Sequence, residues 1–204
     1  CSEASLIDQS DAVLPGAVLA GNGLDPKRQL EWEQGKALSF LIQRNPVPGM
    51  VIAFRSRLLS LALPIPEGWE HDYWLLLLAA GLTGRIAVEA RPLALYRQHE
   101  SQAIGGKRGF LARWRRASRM SLKERERESQ RYHELWERLR RGGAPEESLL
   151  VVAEKRDHLI RRAQFSCFRP LRAAQIGVEL LSGAYHRYDA GLSSAWKDFL
   201  AARA

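Results

Sequence analysis

Cysteine is nearly absent from this chain: Cys1 and Cys167 are the only two in 204 residues. Two thiols so far apart in sequence make neither a disulfide framework nor a zinc site, and point to a reducing cytoplasm rather than to secretion. Long apolar runs are missing too. The longest, Tyr73 to Leu82, is about half the ~20 residues that a membrane span needs. The first residues lack the charged-then-apolar order of a signal peptide, and an opening Cys in place of Met points to a fragment or a processed chain. No internal repeat or low-complexity segment is visible. Acidic residues are in the minority, 23 Asp and Glu against 31 Lys and Arg, for a formal charge of +8 and a pI near 9.9. That balance fits an anionic partner, whether a nucleotide diphosphate, an acidic lipid surface or a nucleic acid, without choosing among them. With 46% apolar residues the chain buries a sizeable core and is not a disordered tail.

The pattern along the chain is that of an α/β layer followed by helices. Cys1 to Ile7 reads as a strand closed by an Asp8-Gln9-Ser10-Asp11 turn, and the stretch to Gly23 as a loop broken by Pro15, Gly16 and Gly21. Apolar spacing predicts a helix over 26–43, stopped by Asn45-Pro46-Val47-Pro48-Gly49. Met50 to Phe54 reads as a strand. Asp72 to Leu82 is apolar nearly all round, a buried helix with Gly84 as its stop. Two strands, 85–90 and 93–97, follow. Beyond Gly106 the composition changes, with thirteen Lys and Arg against five Glu over 107–141. This is a basic helical region, with a capping box at Ser121 and Glu124 and an end at Gly142-Gly143. Helices after Pro145, over 171–181 and over 193–202 complete the tail. The division is therefore 1–106 and 107–204.

Chemistry concentrates between Pro48 and Gly106. Four motifs occur there in order: Gly49-Met50-Val51-Ile52-Ala53-Phe54-Arg55, Leu63-Pro64-Ile65-Pro66, His71-Asp72-Tyr73-Trp74 and Tyr96-Arg97-Gln98-His99. Each alone is weak. Their order and spacing resemble the C-terminal half of family 2 glycosyltransferases of the bacterial rhamnosyltransferase-like kind. The tail segments Leu180 to Tyr188 and Ser194 to Asp198 are similar to tails in that group, so the resemblance covers most of the chain. Two departures stand out: Glu100-Ser101-Gln102-Ala103-Ile104-Gly105 replaces the usual Gly-Gly-Asn after the histidine, and the nucleotide-binding half with its Asp-x-Asp motif would lie upstream of Cys1.

The resemblance implies the C-terminal part of a GT-A (nucleotide-diphospho-sugar transferase) α/β fold followed by a helical tail. It also implies an inverting transferase that moves a sugar from a nucleotide-diphosphate donor to a saccharide or lipid-linked acceptor in cell-surface polysaccharide synthesis, at the cytoplasmic face of the membrane. Asp72 would be the base that takes the acceptor hydroxyl's proton, its ionised form favoured by the helix start. Gly49, Trp69, His71, Tyr73 and Trp74 would bind the acceptor, Arg97 and His99 the diphosphate, and His99 also a divalent metal, Mg²⁺ or Mn²⁺. Without the donor half, residues 1–204 alone are expected neither to bind nor to transfer a nucleotide sugar, and to leave an apolar patch around the first strand.

Each role has a plainer counterpart. Asp72 at a helix start is also a capping residue, aromatics there are also core, Arg97 also suits a structural ion pair, and His99 a hydrogen bond inside the fold. Asp8 and Asp11 read as turn formers. Arg113 to Lys123, interleaved with Trp114 and near Phe110, suits an anionic membrane surface at about 1 kcal/mol per cation. A nucleic-acid partner is not expected, since no nucleic-acid-binding fold signature accompanies the cluster. Alternating charges over 123–131 also describe a solvated helix. The alternative to an enzyme is a non-catalytic remnant or an interaction module with a basic tail.

Overall fold

In a computed structural model of the chain, which describes residues 1–98 and 122–201, β1 (Ser2–Ile7) is the middle of a three-stranded sheet. β2 (Val13–Ala17) flanks it antiparallel and β3 (Glu89–Arg97) parallel. Asp8 makes the turn between β1 and β2: its Oδ1 accepts from the Ser10 and Ala12 amides and from the Ser10 hydroxyl. Those bonds hold its carboxyl below the usual range. α1 (Val18–Gly21) follows β2 directly, so the stretch read as a loop carries a strand and a short helix. The carboxylate of Glu3, buried, accepts from the amides of Ala4, Leu19 and Ala20 and ties α1 to the sheet.

Three other expectations are corrected. The helix over 26–43 is split into α2 (Pro26–Glu31) and α3 (Ala37–Leu41), because Gly35 takes a φ of 99° inside a wide turn at Trp32–Lys36. Met50 to Phe54 is not a strand. Both edges of β1 are already occupied, and Gly49–Val51 forms a 3₁₀ turn with extended chain after it. The two strands over 85–90 and 93–97 are one, β3, with Pro92 accommodated at a register shift opposite Glu3. Exposed apolar side chains lie on both neighbours of β1, with Val13 of β2 74% and Leu93 and Leu95 of β3 67% and 63% exposed.

The short α4 (Leu59–Ala62) precedes α5 (His71–Thr83), which runs through the core as expected and ends at Gly84 in the left-handed conformation. Against it pack α6 (Leu122–Arg141) and α7 (Glu146–Ala163). Ser121, the capping residue read for α6, lies outside the described residues. The apolar core is continuous across the compositional boundary at 106, joining Trp74, Leu77 and Leu78 to Tyr132, Leu135, Leu139 and Leu159. Gly81 makes the α5–α6 approach possible: a Cβ there would stand 2.6 Å from one Leu139 methyl and 2.7 Å from the other. We expect Gly81→Ala to lower stability by about 1–3 kcal/mol in urea unfolding, the usual cost of overpacking. A wild-type midpoint would show that the two helices yield freely.

The tail closes with α8 (Arg169–Leu181), α9 (Ala184–Tyr188) and α10 (Leu192–Leu200) around a smaller cluster of Phe165, Ile176, Tyr185 and Ala195. Buried charge does much of the joining. His158 is fully buried, with Nδ1 2.6 Å from Glu179 Oε2 and Nε2 3.0 Å from Asp189 Oδ2. Arg162 donates through Nε to Asp198 Oδ2 at 2.6 Å and through Nη1 to Asp189 at 2.5 Å. The Tyr185 hydroxyl also donates to Asp198. Lys155 reaches the Tyr188 carbonyl at 2.7 Å and lies 3.5 Å from Asp189. No helix among the described residues is long and apolar enough to cross a membrane.

Candidate functional site

Asp72 sits in the first turn of α5, half-buried. Its Oδ1 accepts from the Tyr73 amide at 2.7 Å, so it partly caps the helix. Its second oxygen has no hydrogen-bond partner among the described residues. A carboxylate held by one oxygen and open at the other is oriented yet still able to take a proton. His71 packs against Gly49: a Cβ on Gly49 would lie 2.7 Å from His71 Nε2 and 3.4 Å from Asp72 Cβ. Two motifs more than twenty positions apart thus meet because Gly49 has no side chain. The Gly49–Val51 turn also touches β1 and β3, which places this corner beside the parallel strand pair.

Trp69 is the centre of an aromatic nest. Its ring stands edge-on to Tyr73 and to Tyr132, each at 5.5 Å, and is tilted against Trp74 at the same distance. Arg131 lies over it at 5.6 Å and donates to the Gly68 carbonyl. The Trp69 Nε1 is buried with no hydrogen-bond partner among the described residues. Gly68, Trp69, Glu70, Tyr73, Glu128, Arg131 and Tyr132 line a cavity of about 230 Å³, below the ~300–1,000 Å³ of ordinary ligand sites and suited to a single ring. The Tyr73 hydroxyl donates to the Leu41 carbonyl and Tyr132 to that of Ile42. Burial pushes both phenols above their ordinary pKa, so they remain protonated donors.

Trp74 corrects an expectation. It is 0% exposed, with Nε1 donating to the Ala62 carbonyl at 2.9 Å and Arg138 over its ring, so it belongs to the core and offers no face to an acceptor. The position directly after the helix start points inward because α5 is buried on nearly every side. Glu128, Arg131 and Tyr132 were missed: their spacing puts them near one face of α6, but sequence alone gives no sign that this face closes over Trp69, some sixty positions earlier.

At the carboxyl end of β3, Arg97 donates to the Asp8 and Gln9 carbonyls and pairs with Asp11. This is the structural ion pair that the sequence left open, and it fastens the β1–β2 turn to β3. It lies where parallel sheets commonly present ligand sites. His99 is outside the described residues. Among the described residues no group of three or more His, Cys, Asp or Glu is placed to hold a metal ion. Asp8 is consumed by its turn and Asp11 by Arg97, so the donors in view do not fit a metal. Comparison with protein families, with curated proteins and with solved structures finds no match.

Proposed function

We propose that the chain is the acceptor side of an inverting glycosyltransferase of the family 2 kind, acting on a nucleotide-diphosphate sugar and a saccharide or lipid-linked acceptor. The observation that carries this reading is the meeting of Gly49, His71 and Asp72, with one Asp72 oxygen free of any hydrogen bond among the described residues. In the transfer step the acceptor hydroxyl gives its proton to that oxygen as its own oxygen bonds to the anomeric carbon. The bond from that carbon to the diphosphate breaks, and its electrons leave with the nucleoside diphosphate. Trp69 and Tyr73 border the acceptor ring. Arg97 turns from Asp11 to the leaving diphosphate, where its fork suits two phosphate oxygens. A divalent cation, Mg²⁺ or Mn²⁺, would be held on the donor side.

The engaged state of Arg97 favours a second reading, a remnant that keeps the fold without transfer. Release of nucleoside diphosphate from uridine and thymidine diphosphate sugars separates the two, measured with the protein expressed from its whole coding sequence and a panel of saccharide acceptors. Acceptor-dependent release is expected, and Gly49→Ala should lower it about 10²-fold by displacing the His71 ring. Because only a side-chain end has to move, the same substitution should barely change thermal stability. Release that depends on no acceptor, or that Gly49→Ala leaves intact, would remove this corner from the reaction.

A further inference from the structure

The other end of α5, about 18 Å along the helix from Asp72, carries a second and larger groove of about 730 Å³. Its floor is apolar, with Leu58, Leu61, Leu82 and Ile86; four arginines, Arg55, Arg57, Arg85 and Arg141, line it, and no Asp or Glu does. They come from three separate stretches of chain, so the cluster is made by folding. The guanidinium groups of Arg55, Arg57 and Arg85, all exposed, have no ion pair or hydrogen bond among the described residues. Arg141 lies only 4.0 Å from Glu137, which Arg140 holds at 3.0 Å. Arg97, Arg161 and Arg162, by contrast, each sit in a close ion pair. Unneutralised cations around an apolar floor favour an anion that brings hydrocarbon with it.

The surrounding chain has the same character and is held in place. Phe54 lines the groove at 44% exposure, and Met50, Leu59 and Leu63 on the same segment are also exposed. These are not side chains of a loose loop. Arg138 donates to the carbonyls of Leu61, Leu63 and Pro64, and Trp74 Nε1 to that of Ala62. Gly142 lets the end of α6 lie against this segment, since a Cβ there would meet Leu61 at 2.6 Å and Leu82 at 2.9 Å.

We infer that this groove is a membrane-docking site, in which Arg55, Arg57, Arg85 and Arg141 hold the phosphate of an anionic phospholipid while Phe54 and the leucines meet its acyl region. The proposal uses none of the residues 113–123 and does not depend on sugar transfer. Sedimentation of the full chain with phosphatidylcholine vesicles, with and without phosphatidylglycerol, tests it. Binding is expected only to the anionic vesicles and should weaken as salt is raised. Arg55→Gln, Arg57→Gln and Arg85→Gln should each reduce it about fivefold and the triple variant about a hundredfold, with the thermal midpoint unchanged because these side chains are exposed. Phe54→Ser should reduce the part of binding that survives high salt. A triple variant that binds as tightly as wild type would overturn the proposal and move the membrane contact elsewhere. So would a protein that ignores vesicles yet binds inorganic phosphate or glycerol phosphate through these same arginines, since the site would then serve a soluble anion.

Discussion

Replacing Asp72 by Asn in the protein expressed from its whole coding sequence should cut sugar transfer by about 10²–10⁴-fold, the range that general-base catalysis supplies. The geometry makes this substitution unusually informative. Asp72 holds the Tyr73 amide through Oδ1, and an Asn oxygen keeps that bond. The change is therefore confined to the second oxygen, which becomes an amide unable to take a proton. Nucleotide-diphosphate binding and thermal stability should stay near wild type. A purely capping role predicts a different pattern, with turnover intact in Asp72→Asn and a loss of about 0.5–2 kcal/mol of stability in Asp72→Ala. Measuring both variants separates the base from the cap.

The largest expected effect on stability is in the tail. Asp198 is fully buried and receives Arg162 through two nitrogens and Tyr185 through its hydroxyl. Removing it in Asp198→Ala leaves Arg162 with Asp189 alone and takes the acceptor from two of its nitrogens and from the buried Tyr185 hydroxyl, for which about 3–5 kcal/mol of destabilisation is expected in urea unfolding. The triple variant Arg162→Met, Tyr185→Phe and Asp198→Leu should recover much of that loss, since no buried donor then faces the lost carboxylate and Asp189 keeps Lys155 and His158. If both variants unfold alike, the pair is not the joint that it appears to be from its distances. The same cluster sets an acid limit. Burial alone would raise the Asp189 carboxyl, but Lys155, Arg162 and the His158 hydrogen bond outweigh it and hold Asp189 well below the ordinary range. For Glu179 burial is likewise outweighed, by Arg161 and His158. Carboxyls depressed in the folded state stabilise above their unfolded pKa and lose that contribution as pH falls through the folded value. The thermal midpoint should therefore hold near neutrality and fall below about pH 4–5, close to where unfolded carboxyls titrate, and Asp189→Asn should flatten that fall.

Local signals in the sequence were followed where nothing distant competed with them. The β1 strand, the Asp8–Asp11 turn, α5 with its Gly84 stop, and the helix end at Gly142-Gly143 all rest on residues within a few positions of one another. The failures have non-local causes. Val51 and Ile52 favour a strand, but Gly49–Val51 is taken up in a 3₁₀ turn against β1 and β3, so the segment stayed outside the sheet. Pro15 and Gly16 discourage a strand, yet β1 recruited them into its antiparallel neighbour. In the candidate site Asp72 was legible from its place at a helix start. The inward turn of Trp74 and the arrival of Arg131 over Trp69 depended on how α6 packs. His158, Glu179, Asp189 and Asp198 are unremarkable as letters, because what distinguishes them is mutual approach across three helices and a loop.

One consequence follows from α6. Arg131, midway along the helix, caps the aromatic cavity, Arg138 in the last turn grips the 61–64 segment, and Arg141 at the end reaches the arginine groove. A single helix therefore serves as wall, clasp and rim for two separate openings, and it meets α5 where Leu139 seats against Gly81. Displacing that seat shifts both openings together, so Gly81→Ala, which touches neither, should impair ring binding at one and vesicle binding at the other in parallel.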